Sequence, residues 1–155
     1  MPCGLALNSY NIRGKRMKKS CLAILVCLGL ASCSVAVGQG LENGHLRPCP
    51  SSPNCVSSEA SDTDLAPFEL PAKDGWERLR LAIVSQGGSI EREDAGYLHA
   101  TYRSRFFGFV DDLECRLDGS TVQVRSASRL GWWDMGVNRR RVELLRKAMT
   151  AETLK

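Results

Sequence analysis

Asp118-Gly119 stands between two runs of mostly alternating apolar and polar side chains, 109–117 and 121–129, and this leaves the chain few ways to fold. Asp-Gly is a strong signal for a two-residue hairpin, because both central positions of the favoured turn need positive φ. With these two residues at the turn, Cys115 faces Val122, Leu113 faces Val124 and Asp111 faces Ser126 on one side of the ladder. Glu114 faces Gln123 and Asp112 faces Arg125 on the other. A slip of one residue would turn every apolar side chain outward, so this register agrees with burial. It makes Asp112 and Arg125 an exposed cross-strand pair, worth about 0.2–1 kcal/mol. It also puts Asp111 on the buried face with Phe109, Leu113 and Cys115, where an unpaired carboxylate would cost several kcal/mol. Ser126 and Ser128 share that face.

The flanking segments extend the pattern. Asp74-Gly-Trp-Glu77 reads as a capping box, followed by Trp76, Leu79 and Ile83 on one helical face and a stop at Gly87-Gly88. Residues 89–93 and 97–105 read as strands joined at Asp94-Ala95-Gly96. In the second, Leu98, Ala100 and Tyr102 share one face and His99, Thr101 and Arg103 the other. After a glycine-containing loop, Asn138 reads as the N-cap of a helix whose apolar stripe is Val142, Leu145 and Met149. The economical solution is an α+β two-layer domain, a four-stranded antiparallel meander with both helices on one face. The 155 residues suit one such core.

The start of the chain points to export. Met17-Lys18-Lys19-Ser20 is a short basic segment, and residues 21–30 form an apolar run of ten, too short for a bilayer core of about 20 residues. The run ends in Leu30-Ala31-Ser32-Cys33, which resembles a bacterial lipobox, so acylation is expected on Cys33 with residues 1–32 as leader and translation starting at Met17. Five of the 21 basic residues and none of the 17 acids lie in residues 1–32, so the remaining chain sums to −1 and its charge gives no reason to expect nucleic acid as a partner. Residues 33–46 are small and polar and read as a tether to a domain over 47–150. Ser34 differs from the aspartate that retains many lipoproteins at the inner membrane, which favours the outer membrane.

Cys49, Cys55 and Cys115 remain beyond the lipid cysteine. Cys49-Pro-Ser-Ser-Pro-Asn-Cys55 is a proline-braced loop suited to a disulfide in an exported chain, with Cys115 left as a thiol. A metal site using these two cysteines with His45 is the alternative, but it lacks a fourth ligand. Residues 47–73 carry Pro48, Pro50, Pro53, Pro67 and Pro71 and read as irregular structure pinned by Phe68 and Leu70.

Arg-Pro-Cys-Pro-Ser-Ser-Pro-Asn-Cys-Val-Ser-Ser (47–58), Tyr-Leu-His-Ala (97–100), Phe-Gly-Phe-Val-Asp-Asp (107–112), Val-Arg-Ser-Ala-Ser-Arg (124–129) and Gly-Val-Asn-Arg-x-Arg (136–141) resemble, in this order, the bacterial domain of unknown function 1499 family. The resemblance spans about 47–150. It implies an exported or membrane-associated domain and brings no activity, cofactor or site residue with it.

The candidate ligand-binding residues are therefore read from chemistry: Arg103, Arg105, Asp111, Arg125, Ser126, Ser128, Arg129, Trp132, Trp133, Asn138 and Arg139. Arginine forks suit carboxylate or phosphate, a helix N-terminus at Asn138 would assist, and the Trp pair can stack on a ligand, meet lipid or anchor a partner, with at least one Trp expected to pack. Adjacent Asp111 and Asp112 point to opposite faces and cannot share one ion or proton, His99 faces away from Asp111, and no Ser-His-Asp or Gly-x-Ser-x-Gly element is present. The expectation is a lipid-anchored, periplasm-facing envelope protein that binds a small anionic ligand or an envelope protein without catalysis, cofactor or metal. A hydrolase or transferase using Asp111 with arginine anion holders is the alternative from another class, and a structural envelope module is a third.

Overall fold

The computed structural model describes residues 40–61, 65–70 and 74–151; the leader, Cys33 and most of the tether lie outside the described residues. The elements run β1 (Cys55–Ser57), β2 (Phe68–Glu69), α1 (Gly75–Ser85), β3 (Ser89–Asp94), β4 (Tyr97–Arg103), β5 (Val110–Asp118), β6 (Thr121–Ser128) and α2 (Val137–Ala151). All pairings are antiparallel. The strand order is β1-β6-β5-β4-β3, with β2 pairing further along β6, so the sheet has six strands rather than four. The two extra strands come from the stretch expected to be irregular. They are three and two residues long, too short to display an alternating pattern.

The helices cover one face. Leu98, Ala100, Leu113, Cys115, Val122 and Val124 project from the sheet onto Leu79 and Ile83 of α1 and Val142, Leu145 and Met149 of α2, in a single buried cluster. Each of the Val, Leu, Ile and Met side chains contributes about 1.5–3 kcal/mol on burial.

Three local expectations are corrected. The β5–β6 hairpin turns at Gly119-Ser120, not at Asp118-Gly119: Asp118 pairs with Thr121, Cys115 with Val124, Leu113 with Ser126 and Asp111 with Ser128. Only Gly119 has positive φ (64°), as in a turn with glycine at its first central position. Ser120 is held in the turn from β2, its carbonyl accepting from the Leu70 amide (2.9 Å) and its hydroxyl donating to Glu69. A shift of two residues keeps every side chain on its expected face but changes its partner.

Asp74 takes a left-handed conformation (φ 55°, ψ 16°) and its side chain makes no cap hydrogen bond; an N-cap side chain acts from the extended region. The other end behaves as expected: Gly87 (φ 88°) donates to Val84 and Gly88 to Ile83, the paired bonds of a Schellman motif. Asn138 is not the cap of α2 either. Asp134 takes that role, accepting from the amides of Gly136 (2.9 Å) and Asn138 (2.8 Å), and Asn138 lies inside the helix, fully buried.

Candidate functional site

The residues singled out from sequence divide between the two faces of the sheet. On the helix-covered face, Asp111 meets Arg141 of α2 (2.6 Å), whose guanidinium also lies 4.3 Å from the centre of the Tyr102 ring. Arg141 donates to Asn138 Oδ1 (2.6 Å) and Ser126 Oγ (3.0 Å), and Ser126 in turn donates to Asn138. Asn138 Nδ2 donates to Ser128 Oγ, to Asp134 and to the carbonyl of Asn54. Burial drives the Tyr102 phenol upward, against the charge of Arg141 beside it. Asp111, Ser126, Ser128 and Asn138 are thus bonded to one another's elements, joining α2 to β5, β6 and the turn before β1. A carboxylate so engaged is architectural.

The opposite face was expected to carry a solvated charge ladder, and it does not. Asp112 and Glu114 are completely buried, and His99 and Arg125 nearly so. The register shift gives Arg125 to Glu114 (3.0 Å), not to Asp112. Glu114 also accepts from the Tyr97 hydroxyl (2.7 Å) and from the amide of Gly40 (3.1 Å), which donates to Tyr97 Oη as well. Residues 40–46 of the expected tether therefore lie on the domain, with Leu46 buried. Burial, reinforced by the bond to Glu114, drives the Tyr97 phenol upward.

Next to this set, Asp112 is gripped by the Arg129 fork, with Nε at 2.9 Å and Nη2 at 2.8 Å, and by His99 Nε2 at 2.7 Å. Burial alone would raise the Asp112 carboxyl; the bonds from His99 and Arg129 together with their charges outweigh it and hold the carboxyl below its usual range. Facing an ionised carboxylate, Nε2 carries a proton, and the bond fixes the orientation of the ring. Burying ions costs several kcal/mol each unless pairing and hydrogen bonds offset it; Asp112 is bonded accordingly, whereas Arg125, paired to Glu114 through Nη1, keeps its Nε buried without a partner.

A cleft of about 250 Å³ opens onto this second set, lined by Glu91, His99, Thr101, Arg103, Val110 and Arg129. Glu91 reaches it because the β3–β4 register shifts between Ile90 and Arg92; such a bulge re-aims a side chain. Its carboxylate accepts from Thr101 Oγ1 (2.7 Å). Arg103 is exposed and bonds the Gly108 carbonyl (3.1 Å), without an ion pair among the described residues. The cleft brings together two arginines, an oriented imidazole and one carboxylate.

A larger groove of about 710 Å³ runs beside β1, with His45, Arg47, Ser57, Glu59 and Arg139 among its lining. Cys49 and Cys55 are joined there as a disulfide (S–S 2.01 Å). The Glu59 carboxylate is committed to the Leu46 amide (2.7 Å) and Arg116 (2.7 Å). Cys115 is buried, and burial pushes its thiol up, which makes it unreactive. Among the described residues no group of three His, Cys, Asp or Glu side chains is placed to hold a metal ion, and no helix is long and apolar enough to cross a membrane.

Both Trp132 (68% exposed) and Trp133 (65%) lie open on the β6–α2 loop, so the expectation that one packs is wrong. Arg105 is exposed on the neighbouring β4–β5 loop. Of the candidate residues, Arg103 and Arg129 alone line the cleft; Arg125 is one strand away in the buried Glu114 pair. Sequence reasoning does not single out His99, Glu114, Tyr97 or Arg141, and it assigns Asp112 to an exposed pair with Arg125. Alternation placed His99, Asp112, Glu114 and Arg125 on one face, and four ionisable residues on adjacent strands were the signal available.

A family model described as "Protein of unknown function (DUF1499)" matches residues 45–149. No curated protein matches the chain significantly.

Proposed function

The chain belongs to the DUF1499 family, and since that membership brings no activity, we propose a binding module for a small polar ligand with an anionic group, seated at the His99–Arg129 cleft. The observation that carries this reading is Arg103 facing the cleft without an acid partner among the described residues, opposite an Arg129 fork immobilised by Asp112. Arginine forks bind carboxylate and phosphate with directional hydrogen bonds, and a donor on the ligand would meet Glu91. The lipobox-like Leu30-Ala31-Ser32-Cys33 supports an anchored, periplasm-facing protein, and Ser34 favours the outer membrane. Mass spectrometry of the mature N-terminus tests the anchor; an unmodified residue other than Cys33 there excludes it.

The binding reading is tested by calorimetric titration of the full chain with inorganic phosphate and with a dicarboxylate. Arg103→Ala is expected to weaken whichever binds by about tenfold, the loss of one charged hydrogen-bonding group, with unfolding unchanged within about 0.5 kcal/mol. Equal affinity in the variant would exclude the cleft.

A second reading, a hydrolase, is favoured by one observation only: the 2.7 Å Asp112–His99 bond orients an imidazole as a general base beside a cleft. It would use this pair and not Asp111, which is engaged by Arg141. Hydrolysis of a phosphate or carboxylate ester that disappears in His99→Gln, with folding preserved, would establish it.

A further inference from the structure

Seven exposed large apolar side chains lie on the loops at one end of the sheet. Arg103 pairs with Val110 and Asp111 with Ser128, and the Arg129 amide donates to the Val110 carbonyl (3.0 Å). The β4–β5 and β6–α2 loops therefore leave the sheet at the same end. The first carries Phe106 (93% exposed), Phe107 and Phe109; the second carries Leu130, Trp132, Trp133 and Met135, all exposed. Phe107 and Phe109 stack on each other, with centroids 5.6 Å apart. Seven large apolar side chains gathered in this way mark an interaction surface.

The charge around them selects the partner. Arg103, Arg105 and Arg140 are exposed and have no acid partner among the described residues; Arg103 and Arg140 bond only backbone carbonyls, which leaves their charges in place. The single acid of the two loops, Asp134, bonds the amides of Gly136 and Asn138 and keeps its charge, but the three exposed arginines outnumber it. Trp and Phe tips fringed by arginine fit the interface of an anionic bilayer, where the rings enter the headgroup layer and each cation adds about 1 kcal/mol. We propose that these two loops dock the domain on an anionic lipid surface, an inference that rests on the Cys33 anchor for its geometry.

The lengths agree. Gly40 is bonded to Tyr97 Oη, at the opposite end of β4 from Arg103. Six residue steps of strand separate Tyr97 from Arg103, about 20 Å. Seven steps of chain separate a lipid on Cys33 from Gly40, at most about 24 Å. The contour length of the chain between Cys33 and Gly40 thus permits an acyl anchor and contact of the aromatic loops with one bilayer. Docked so, the His99–Arg129 cleft, which lies at the same end, opens beside the headgroups.

The test reconstitutes the full chain into phosphatidylglycerol–phosphatidylethanolamine vesicles with brominated acyl chains and reads Trp fluorescence. Bromine quenching of about half the emission is expected, together with a blue shift. In Trp132→Phe/Trp133→Phe only Trp76 emits, and quenching should fall several-fold. Replacing phosphatidylglycerol by phosphatidylcholine, or making Arg105→Gln/Arg140→Gln, should lower quenching at least twofold; neither arginine lines the cleft. Unquenched emission from the reconstituted chain overturns the proposal and leaves a protein partner for the loops. Quenching that is indifferent to lipid charge, or that survives loss of both Trp residues, overturns it too. The N-terminal mass measured on the same sample reads the anchor separately, so failure of one is not confused with failure of the other.

Discussion

At the residue scale the decisive groups are the two buried carboxylates of the helix-free face. Removing one member of a buried ion pair leaves the other charge uncompensated, at about 3–5 kcal/mol. Glu114→Ala should therefore lower unfolding stability in urea by about that amount, since it strands Arg125. Glu114→Leu with Arg125→Met should recover most of the loss. A single-variant effect below 1 kcal/mol would mean that water reaches the pair. Asp112 makes stability depend on pH in a definite direction. Its folded-state carboxyl lies below the ordinary value of about 3.9, so its contribution is complete above that value and is lost as pH falls through the lower folded-state one. Asp112→Asn should flatten this part of the acid limb of a pH–stability curve, which urea midpoints between pH 2 and 6 would show. Alternation in the sequence put Asp112, Glu114, His99 and Arg125 on one face correctly. It could not tell that the face is buried, because Gly40 and the residues after it lie on the domain without any periodic pattern. Nor could it tell which acid meets which base, since that depends on a turn chosen by Leu70 and Glu69, about 50 residues away in the chain.

At the scale of elements, the helix ends and the first strand are the places where a few atoms fix the geometry. A Cβ on Gly88 would lie 2.7 Å from Ile83 Cγ2 and 2.9 Å from the Ile83 carbonyl oxygen, both in the packed core or its backbone. Gly88→Ala is expected to destabilise by about 1–3 kcal/mol through overpacking, read as a lower thermal midpoint. The glycine stop of α1 was legible because its chemistry is local. The caps proposed at Asp74 and Asn138 were not, because residue type alone does not reveal a left-handed backbone or a second acid four residues upstream. The disulfide closes a loop directly before β1, and Cys49→Ser/Cys55→Ser should cost about 2 kcal/mol for a loop of this length. Loss of β1 pairing should accompany it, seen as faster amide exchange at Val56 and Ser57.

For the molecule as a whole, the two polar clusters have different fates. The Asp111–Arg141–Asn138 set is closed on itself and joins the second helix to the sheet, whereas the His99–Asp112–Arg129 set is fixed from behind and opens into a cleft. The fold class and the helix-covered face followed from periodicity and turn residues. The proposed ligand site did not, because its parts come from β3, β4, β5 and the end of β6 and converge only after a bulge at Glu91 and a two-residue change of register. Arg103 and Arg129 were among the candidates for their chemistry, and only the packed structure separates them from Ser126, Ser128 and Asn138. The most direct test is side-chain NMR of the full chain during titration with inorganic phosphate and with a dicarboxylate. Shifts are expected at the His99 ring, Thr101, Arg103 and Arg129, with Ser126 and Asn138 unmoved. Shifts confined to the Asn138 cluster, or none at the cleft up to tens of millimolar of either anion, would contradict a binding site at His99–Arg129.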